Sequence, residues 1–533
     1  MPSALTFPGI YIEEIPSGVR TITGVSTSNT AFVDFFKRGP MNQAVRITSS
    51  AEFERIFGGL DSRSEASYGI SQYYLNGGSV AYVVRVAAGD VRKAEVTLEG
   101  GSPPQNTLTV RAKYEGAWAN NAVQAAIVSA ANDRFNLFVR QLAIDADGNV
   151  VMEAGRPKVL LFEDFRNLSM DTESPNYVVT ALAESNLVEA VDAGLGSAPT
   201  GSAGSPTGGP IGETNWQPPI GATLVGGADG TVPATSAELI GDRANRTGLF
   251  ALDSIAPDIF NILCLPAAAT IANEADRASA YAQALNYCIE KRAFLIVDIP
   301  AAVNTTQELI GEVGRLTPGN NAAVYFPRLQ ISDPLNNGRL ANRAASGTLA
   351  GIYARTDVAR GVWKAPAGTD AVLRNANLDV VLTDGQQGGL NPLGLNVLRN
   401  FPVFGTVVWG ARTLDGADQK ASEWKYIPVR RTALFIEETL FQALKWVVFE
   451  PNDEPLWSQI RLNVGAFMND LFRQGAFQGR TPREAYFVKC DKETTTQNDI
   501  NRGVVNIVVG FAPLKPAEFV VIRIQQIAGD IQV

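Results

Sequence analysis

The chain has 533 residues, is 45% hydrophobic and 19% charged, and carries a formal net charge of -9. This composition excludes disorder and collagen-like repeats over most of the length, and the acidic balance supplies no electrostatic footprint for nucleic acid. The length exceeds what one hydrophobic core serves, which predicts two to four domains, and the absence of histidine removes the Ser-His-Asp, Cys-His and HExxH arrangements.

Residues 7–15, FPGIYIEEI, form the first strand-like run. The residues ahead of it have neither a basic n-region nor an apolar h-region, so the expectation is a chain without a secretory signal, made as a soluble cytosolic protein. Residues 50–57 predict a capped helix ending at Gly58-Gly59, and residues 67–75 a second helix ending at Asn76-Gly77-Gly78. Residues 79–86, SVAYVVRV, follow as a strand with too little alternation for a surface position, which predicts burial on both faces and an α/β arrangement.

The pattern changes over residues 89–223. Residues 107–113 and 135–143 alternate as strands, and the turn at Asp147-Gly148-Asn149 predicts that 135–143 pairs with 150–153. The same turn lacks the closing acidic residue of a calcium loop. Residues 194–212, GLGSAPTGSAGSPTGGPIG, are low-complexity linker or loop. This whole region reads as a smaller β-rich domain inserted into the α/β one. Helix and buried-strand alternation then returns, with strands predicted at 259–265, 293–298 and 322–326 and a helix at 275–292.

A third unit starts at Trp424. Helices are predicted at 432–450 and 456–474, the second with Trp457, Ile460, Val464, Met468 and Leu471 at helical spacing, followed by strands at 485–490, 503–511 and 518–527. The last strand, EFVVIRIQQI, has no evident partner within the chain and follows a proline-rich joint, residues 512–516. A long apolar strand with an open edge is a template for pairing with another chain. Ile10, Tyr11, Ile12 and Glu13 at one end, and Phe519, Val520, Val521, Ile522, Arg523 and Ile524 at the other, are therefore candidate intersubunit arms.

No catalytic, cofactor or metal site emerges. Cys264, Cys288 and Cys490 are far apart and read as small buried hydrophobes, and the lack of a Gly-Lys dipeptide removes a P-loop. Ser346-Gly347-Thr348 is the one serine context to test as a nucleophile, and it reads instead as a turn or helix cap. Arg473, Arg480 and Arg483 surround the loop at 475–479 as a local basic cluster, while Arg430-Arg431 ahead of Glu437-Glu438 suggest pairs within the unit.

The ordered blocks at 224–230 (LVGGADG), 322–328 (AAVYFPR), 345–366 (ASGTLAGIYARTDVARGVWKAP), 389–414 and 424–491 (including WKYIPVRR, VVFEPNDEPLW and AYFVKCD) resemble the contractile tail sheath family. That family occurs in contractile-tailed bacteriophages, phage-tail-like bacteriocins and extracellular contractile injection systems. The resemblance implies an α/β (α+β multidomain) fold divided into an N-terminal arm (1–22), a subtilisin-like α/β domain (23–88 and 224–415), an inserted β-rich outer domain (89–223), a C-terminal inner α+β domain (416–512) and a C-terminal arm (513–533). It implies a non-enzymatic subunit without cofactors, polymerised as a helical stack of hexamers around an inner tube protein. Baseplate and tail-terminator or cap proteins are its further implied partners, with no nucleic acid and no membrane insertion. Under this resemblance the three arginines become candidate tube-facing residues. It also implies assembly in the bacterial cytoplasm and a final place in a virion tail or released particle. A hydrolase on an α/β scaffold and a static tube protein are the competing readings.

Overall fold

The computed structural model describes residues 20–145, 148–200 and 222–524. Ile10, Tyr11, Ile12 and Glu13 lie outside the described residues, as do residues 201–212 of the low-complexity segment and 525–527 of the last predicted strand.

Six short strands build a parallel sheet: β1 (Thr30–Asp34), β3 (Ala81–Arg85), β4 (Ile262–Cys264), β5 (Phe294–Val297), β6 (Ala322–Phe326) and β7 (Asn396–Phe401). With antiparallel β2 (Ala44–Ile47) and β8 (Gly405–Val408) at its two edges, the order is β2-β3-β1-β4-β5-β6-β7-β8. Successive residues feed opposite faces, as a pleated strand requires. Leu263, Leu295 and Val324 enter one core, while Cys264, Phe294, Ile296 and Tyr325 enter the other. The expected burial of β3 on both faces is met: Tyr82 and Val84 point one way, Ala81 and Val83 the other.

Helices α1 (Ser50–Phe57), α2 (Glu65–Asn76), α3 (Glu274–Lys291), α4 (Thr306–Val313) and α5 (Ser346–Arg360) cover the sheet. On one face, α3 and α4 pack through Tyr281, Leu285, Cys288 and Leu309; on the other, α1, α2 and α5 pack through Phe53, Ile70, Tyr73, Leu349 and Tyr353. α2 and α5 touch backbone to backbone. A Cβ at Gly347 would stand 2.2 Å from the Gly69 carbonyl oxygen, so only glycine allows this approach. The α2 start is predicted two residues too late, because Ser64, whose side chain accepts from the Ser67 N–H, is its cap.

Residues between 94 and 224 have a core of their own, containing Leu108, Val110, Val123, Ile127, Phe135, Leu137 and Val139. One sheet joins Val188–Asp192, Gln105–Ala112 and Glu95–Gly100; a second joins Val159–Leu168, Arg134–Leu142, Val123–Ala130 and Ala222–Thr223. The predicted hairpin between 135–143 and 150–153 is corrected here. Arg134–Leu142 pairs with Val123–Ala130 and Val159–Leu168, while the expected turn closes just past the strand, where Val150 bridges Ile144 and the Val151 N–H donates to the Ala143 carbonyl oxygen (2.9 Å). Both true partners offer a full ladder, which outweighs the local turn.

The C-terminal helices are α6 (Ile427–Ala443) and α7 (Glu454–Arg473), followed by a hairpin of Tyr486–Lys489 and Val508–Phe511. α6 begins five residues before its predicted start, at a proline-compatible first turn with Pro428, and ends before Leu444. Trp457, Ile460, Val464, Met468 and Leu471 face one core, as their spacing predicts. The N-terminal segment crosses this unit: the Arg20 N–H donates to Asn463 Oδ1 (3.0 Å), Ile22 joins the core, and Arg20 stacks 4.5 Å from the Trp446 ring centroid.

Buried charges tie these layers together. Arg431 of α6 makes a two-pronged pair with Asp357 of α5 (2.8 and 2.6 Å), whereas Arg430 pairs with Glu437 (3.1 Å) and Glu438 with Arg292 (3.0 Å). The predicted local pairing therefore holds for Arg430 alone. Arg431 points inward on the helix, where the partner in reach belongs to another element. Asp34, at the end of β1, accepts from the Ala66 N–H (2.7 Å) and the Phe35 N–H (2.6 Å), yet burial pushes its pKa up from 3.8 to about 8. A folded-state pKa above the unfolded one means that the folded state holds more protons between the two values, so stability falls as pH rises from about 4 to about 8. Thermal melts across that window are expected to show a downward slope that Asp34→Asn flattens; equal slopes in both proteins would remove Asp34 as the cause.

Candidate functional site

The C-terminal edge of a parallel sheet is where α/β proteins place ligands, and Ser346 lies at that edge. Asp298 leaves β5 at this edge, and its Oδ1 accepts from the Ala345 N–H (3.0 Å) and the Ser346 N–H (2.9 Å) at the start of α5. Ser346 is thus the first helical residue and not a side-chain cap; the expected cap is corrected to the Asp298 carboxylate, reaching across from the sheet. Burial raises the Asp298 pKa to about 6, with the Ser346 contacts opposing that rise. Ser346 itself is completely buried, which leaves its hydroxyl without a route to a substrate. Arg328 closes the edge, donating to Glu65 Oε2 (3.0 Å) and to the Ile299 carbonyl oxygen (2.8 Å). Ser346 and Asp298 are packed into a structural joint, beside which a cleft of about 660 Å³ opens between Glu65, Arg277, Pro300, Glu312 and Arg328.

The exposed chemistry lies at the C-terminal arm. The Ala512 N–H donates to the Ala485 carbonyl oxygen and the Gln478 N–H to the Ala512 carbonyl oxygen, fixing the end of the hairpin. Six residues on, Glu518 meets Arg412. Arg412 Nε donates to Glu518 Oε1 (2.8 Å), Nη2 to Oε2 (2.6 Å) and Nη1 to Asp418 Oδ1 (2.9 Å), while Tyr426 Oη donates to Glu518 Oε2 (3.1 Å). Arg412 is fully buried, and Asn396 clamps its backbone on both sides. Burial lowers an arginine pKa, but the two carboxylates outweigh it and leave the Arg412 guanidinium raised.

Beyond this clamp the chain carries apolar side chains into solvent. Phe519, Val520, Val521, Ile522 and Ile524 are 75% to 93% exposed, and Arg523 is exposed with them. Among the described residues, no backbone hydrogen bond joins 514–524 to the rest of the chain. An apolar run held at its base and unpaired along its length is prepared to add to another sheet. The nearby hairpin of Tyr486–Lys489 and Val508–Phe511 is only two-stranded, a size that is marginal alone.

Arg473, Arg480 and Arg483 are all exposed where α7 ends and the following loop turns, and none forms a side-chain ion pair among the described residues. Their acidic neighbour Glu484 accepts from the Arg480 backbone N–H (2.8 Å) instead. Arg412 and Glu518 were not singled out from sequence. The available signal was an arginine inside the apolar block VVWGAR, a charge that burial permits only with a carboxylate partner.

A model of the phage tail sheath protein central domain matches residues 241–414, and one of the phage tail sheath C-terminal domain matches 419–527, together more than half of the chain. A prophage major tail sheath protein of Pseudomonas aeruginosa (strain UCBPP-PA14) is 26% identical over 248 residues, 45% of this chain and 59% of that protein. The tail sheath protein of Vibrio phage KVP40 is 26% identical over 187 residues, 35% of this chain and 26% of that protein. Both matches span less than two thirds of the relative. The PVC sheath complex of an extracellular contractile injection system, in its contracted state, shares the fold with a TM-score of 0.57 at 21% identity, covering 98% of each chain. A sheath tail protein from Listeria innocua does so with a TM-score of 0.58 at 14% identity, covering 93% of this chain and 96% of that one. With both sheath domains matched in order and the fold shared along nearly its whole length, the chain belongs to the phage tail sheath protein family.

Proposed function

We propose that the chain is the structural, non-catalytic subunit of a contractile sheath. Copies polymerise as helically stacked hexameric rings around an inner tube, and on a signal from the baseplate they contract and drive the tube through a target envelope. The observation that carries this reading is the C-terminal arm: an exposed, unpaired apolar segment fastened to its own subunit by the buried Arg412–Glu518 pair. Each backbone hydrogen bond that the arm makes to a neighbour contributes about 1 kcal/mol net, so one joint is weak and a polymer of joints is strong. Arms that hold while compact domains repack permit a rigid-body change between two packings.

In this reading residues 1–22 and 513–533 are the arms, 416–512 the inner domain, 23–88 with 224–415 the middle α/β domain, and 89–223 an outer decoration. Ile10, Tyr11, Ile12 and Glu13 take the same linking role at the other end. Arg473, Arg480 and Arg483, exposed and without carboxylate partners among the described residues, face an acidic inner tube protein. Further partners are the baseplate and a tail-terminator or cap protein. The subunit assembles in the bacterial cytoplasm without nucleic acid or membrane insertion; no helix among the described residues is long and apolar enough to cross a membrane.

Negative-stain microscopy of the purified chain tests the reading, with tubes of two widths and lengths as the expected result and monodisperse particles as the result against it. Reversing Arg473, Arg480 and Arg483 to Glu is expected to leave tubes that no longer retain the inner tube protein, with retention in wild type lost at raised salt. Unchanged retention by the triple variant would reject the tube-facing assignment.

A further inference from the structure

Phe449 is the most exposed large apolar residue described, at 103% of its reference area, and Val448 beside it is 63% exposed. Its backbone φ is +71°, a region that bulky side chains rarely occupy. The loop around it is fastened. Trp446 and Val447 pack on the C-terminal core, Asn452 Nδ2 donates to the Val504 carbonyl oxygen (2.9 Å), and Trp457 Nε1 donates to Asn452 Oδ1 (2.9 Å). A held loop therefore points an aromatic ring into water at a conformational cost, and strain of that kind gathers where a surface is used. Glu450 follows, exposed and without an ion-pair partner among the described residues.

Opposite chemistry lies at the other end of α7. A cleft of about 990 Å³ is bounded by Trp363, Trp409, Gly475 and Leu514 and opens beside Lys364 and Lys515. The carboxylates at its rim are already engaged, Asp384 with Arg399 (2.7 Å) and Glu518 with Arg412. Lys364 Nζ donates only to the carbonyl oxygens of Ala365 (3.0 Å) and Ala367 (3.2 Å), and neither Lys364 nor Lys515 has a carboxylate partner among the described residues. The cleft thus offers aromatic walls and two unspent cations, and the loop offers an aromatic ring and an unspent anion.

The two cannot meet within one molecule. Phe449 precedes the start of α7, Gly475 lies just past its end, and 20 helical residues separate these points by about 30 Å. We propose that Phe449 and Glu450 of one copy dock in the cleft of a second copy, Phe449 between Trp363 and Trp409 and Glu450 on Lys364 and Lys515. The contact is head-to-tail, so each copy keeps one free loop and one free cleft, and repetition gives a ring or an open helix. It rests on the self-assembly proposed above and supplies it with a side-chain joint distinct from strand exchange, seated partly on the base of the C-terminal arm at Leu514 and Lys515.

Crosslinking tests it in the full chain. Glu450→Cys with Lys515→Cys, treated with a short bis-maleimide, is expected to yield a ladder of covalent oligomers, because the native cysteines are buried and the two new ones lie too far apart to join within a chain. Phe449→Ser, which removes a fully exposed side chain, is expected to lower pelleted polymer at least ten-fold without lowering the melting temperature. Lys364→Glu with Lys515→Glu should do the same, and adding Glu450→Lys should restore polymer. Tubes without a ladder overturn the contact and leave the sheath reading standing. Neither tubes nor ladder overturns both, whereas a ladder without tubes supports the contact and counts against the sheath.

Discussion

Glu518→Ala is expected to lower stability and abolish polymerisation together. Removing this carboxylate leaves the Arg412 guanidinium, 1% exposed, with only the partly solvated Asp418 and backbone carbonyls as partners. Breaking a buried pair from one side costs about 3–5 kcal/mol, and the 16% exposure of Glu518 places this case toward the lower figure. The same change unfastens the base of the arm, so Phe519 and its neighbours lose their fixed exit direction. Replacing both partners, Arg412→Met with Glu518→Leu, separates the two effects: apolar side chains of similar size relieve the stranded charge, and stability should recover while the arm stays loose. Melting curves report the first quantity and pelleting the second. Full polymer yield from either variant would show that the clamp does not direct the arm.

Truncation after Glu518, removing 519–533, should abolish polymerisation without the accompanying loss of stability. Phe519, Val520, Val521, Ile522 and Ile524 bury almost nothing in the isolated chain, so their loss removes little stabilisation and the melting temperature should stay within the scatter of wild type. Polymer, however, should disappear, because the missing residues are those offered to a neighbour. A cut at 515 would be a poorer test, since it also deletes Glu518 and strands Arg412. Long polymers from the truncated chain would end the case for strand exchange through this arm.

These two residues also mark where sequence reasoning stops. The sheet strands were legible because their pattern is local: FLIV and AAVYF run without a charge or an alternation, and only a strand covered on both faces tolerates that. α7 was legible from the spacing of Trp457, Ile460, Val464, Met468 and Leu471, and the exposed apolar end from the run FVVIRI, which forms no strand among the described residues. Pairing was not legible in the same way. The Asp147-Gly148-Asn149 turn pointed to residues 150–153, but strand register is decided by the whole ladder, and residues 159–168 offered the longer one.

By itself, then, the sequence determined most of the sheet strands and long helices, that an α/β core with a β-rich insertion and a helical C-terminal unit results, and that the apolar run after residue 518 would lack a partner within the chain. Those outcomes follow from periodicity and turn chemistry within a few residues. The strands expected at 503–511 and 518–527 reduce to Val508–Phe511, because residues 518–524 find no ladder to join among the described residues. Only the tertiary structure decided that Asp298 and not Ser346 caps α5, that Arg431 reaches Asp357, and that Glu518 finds Arg412 across 106 residues of chain. A buried charge accepts whichever opposite charge the fold brings within hydrogen-bond reach, and that neighbour is set by packing between layers, which spacing along the chain does not encode.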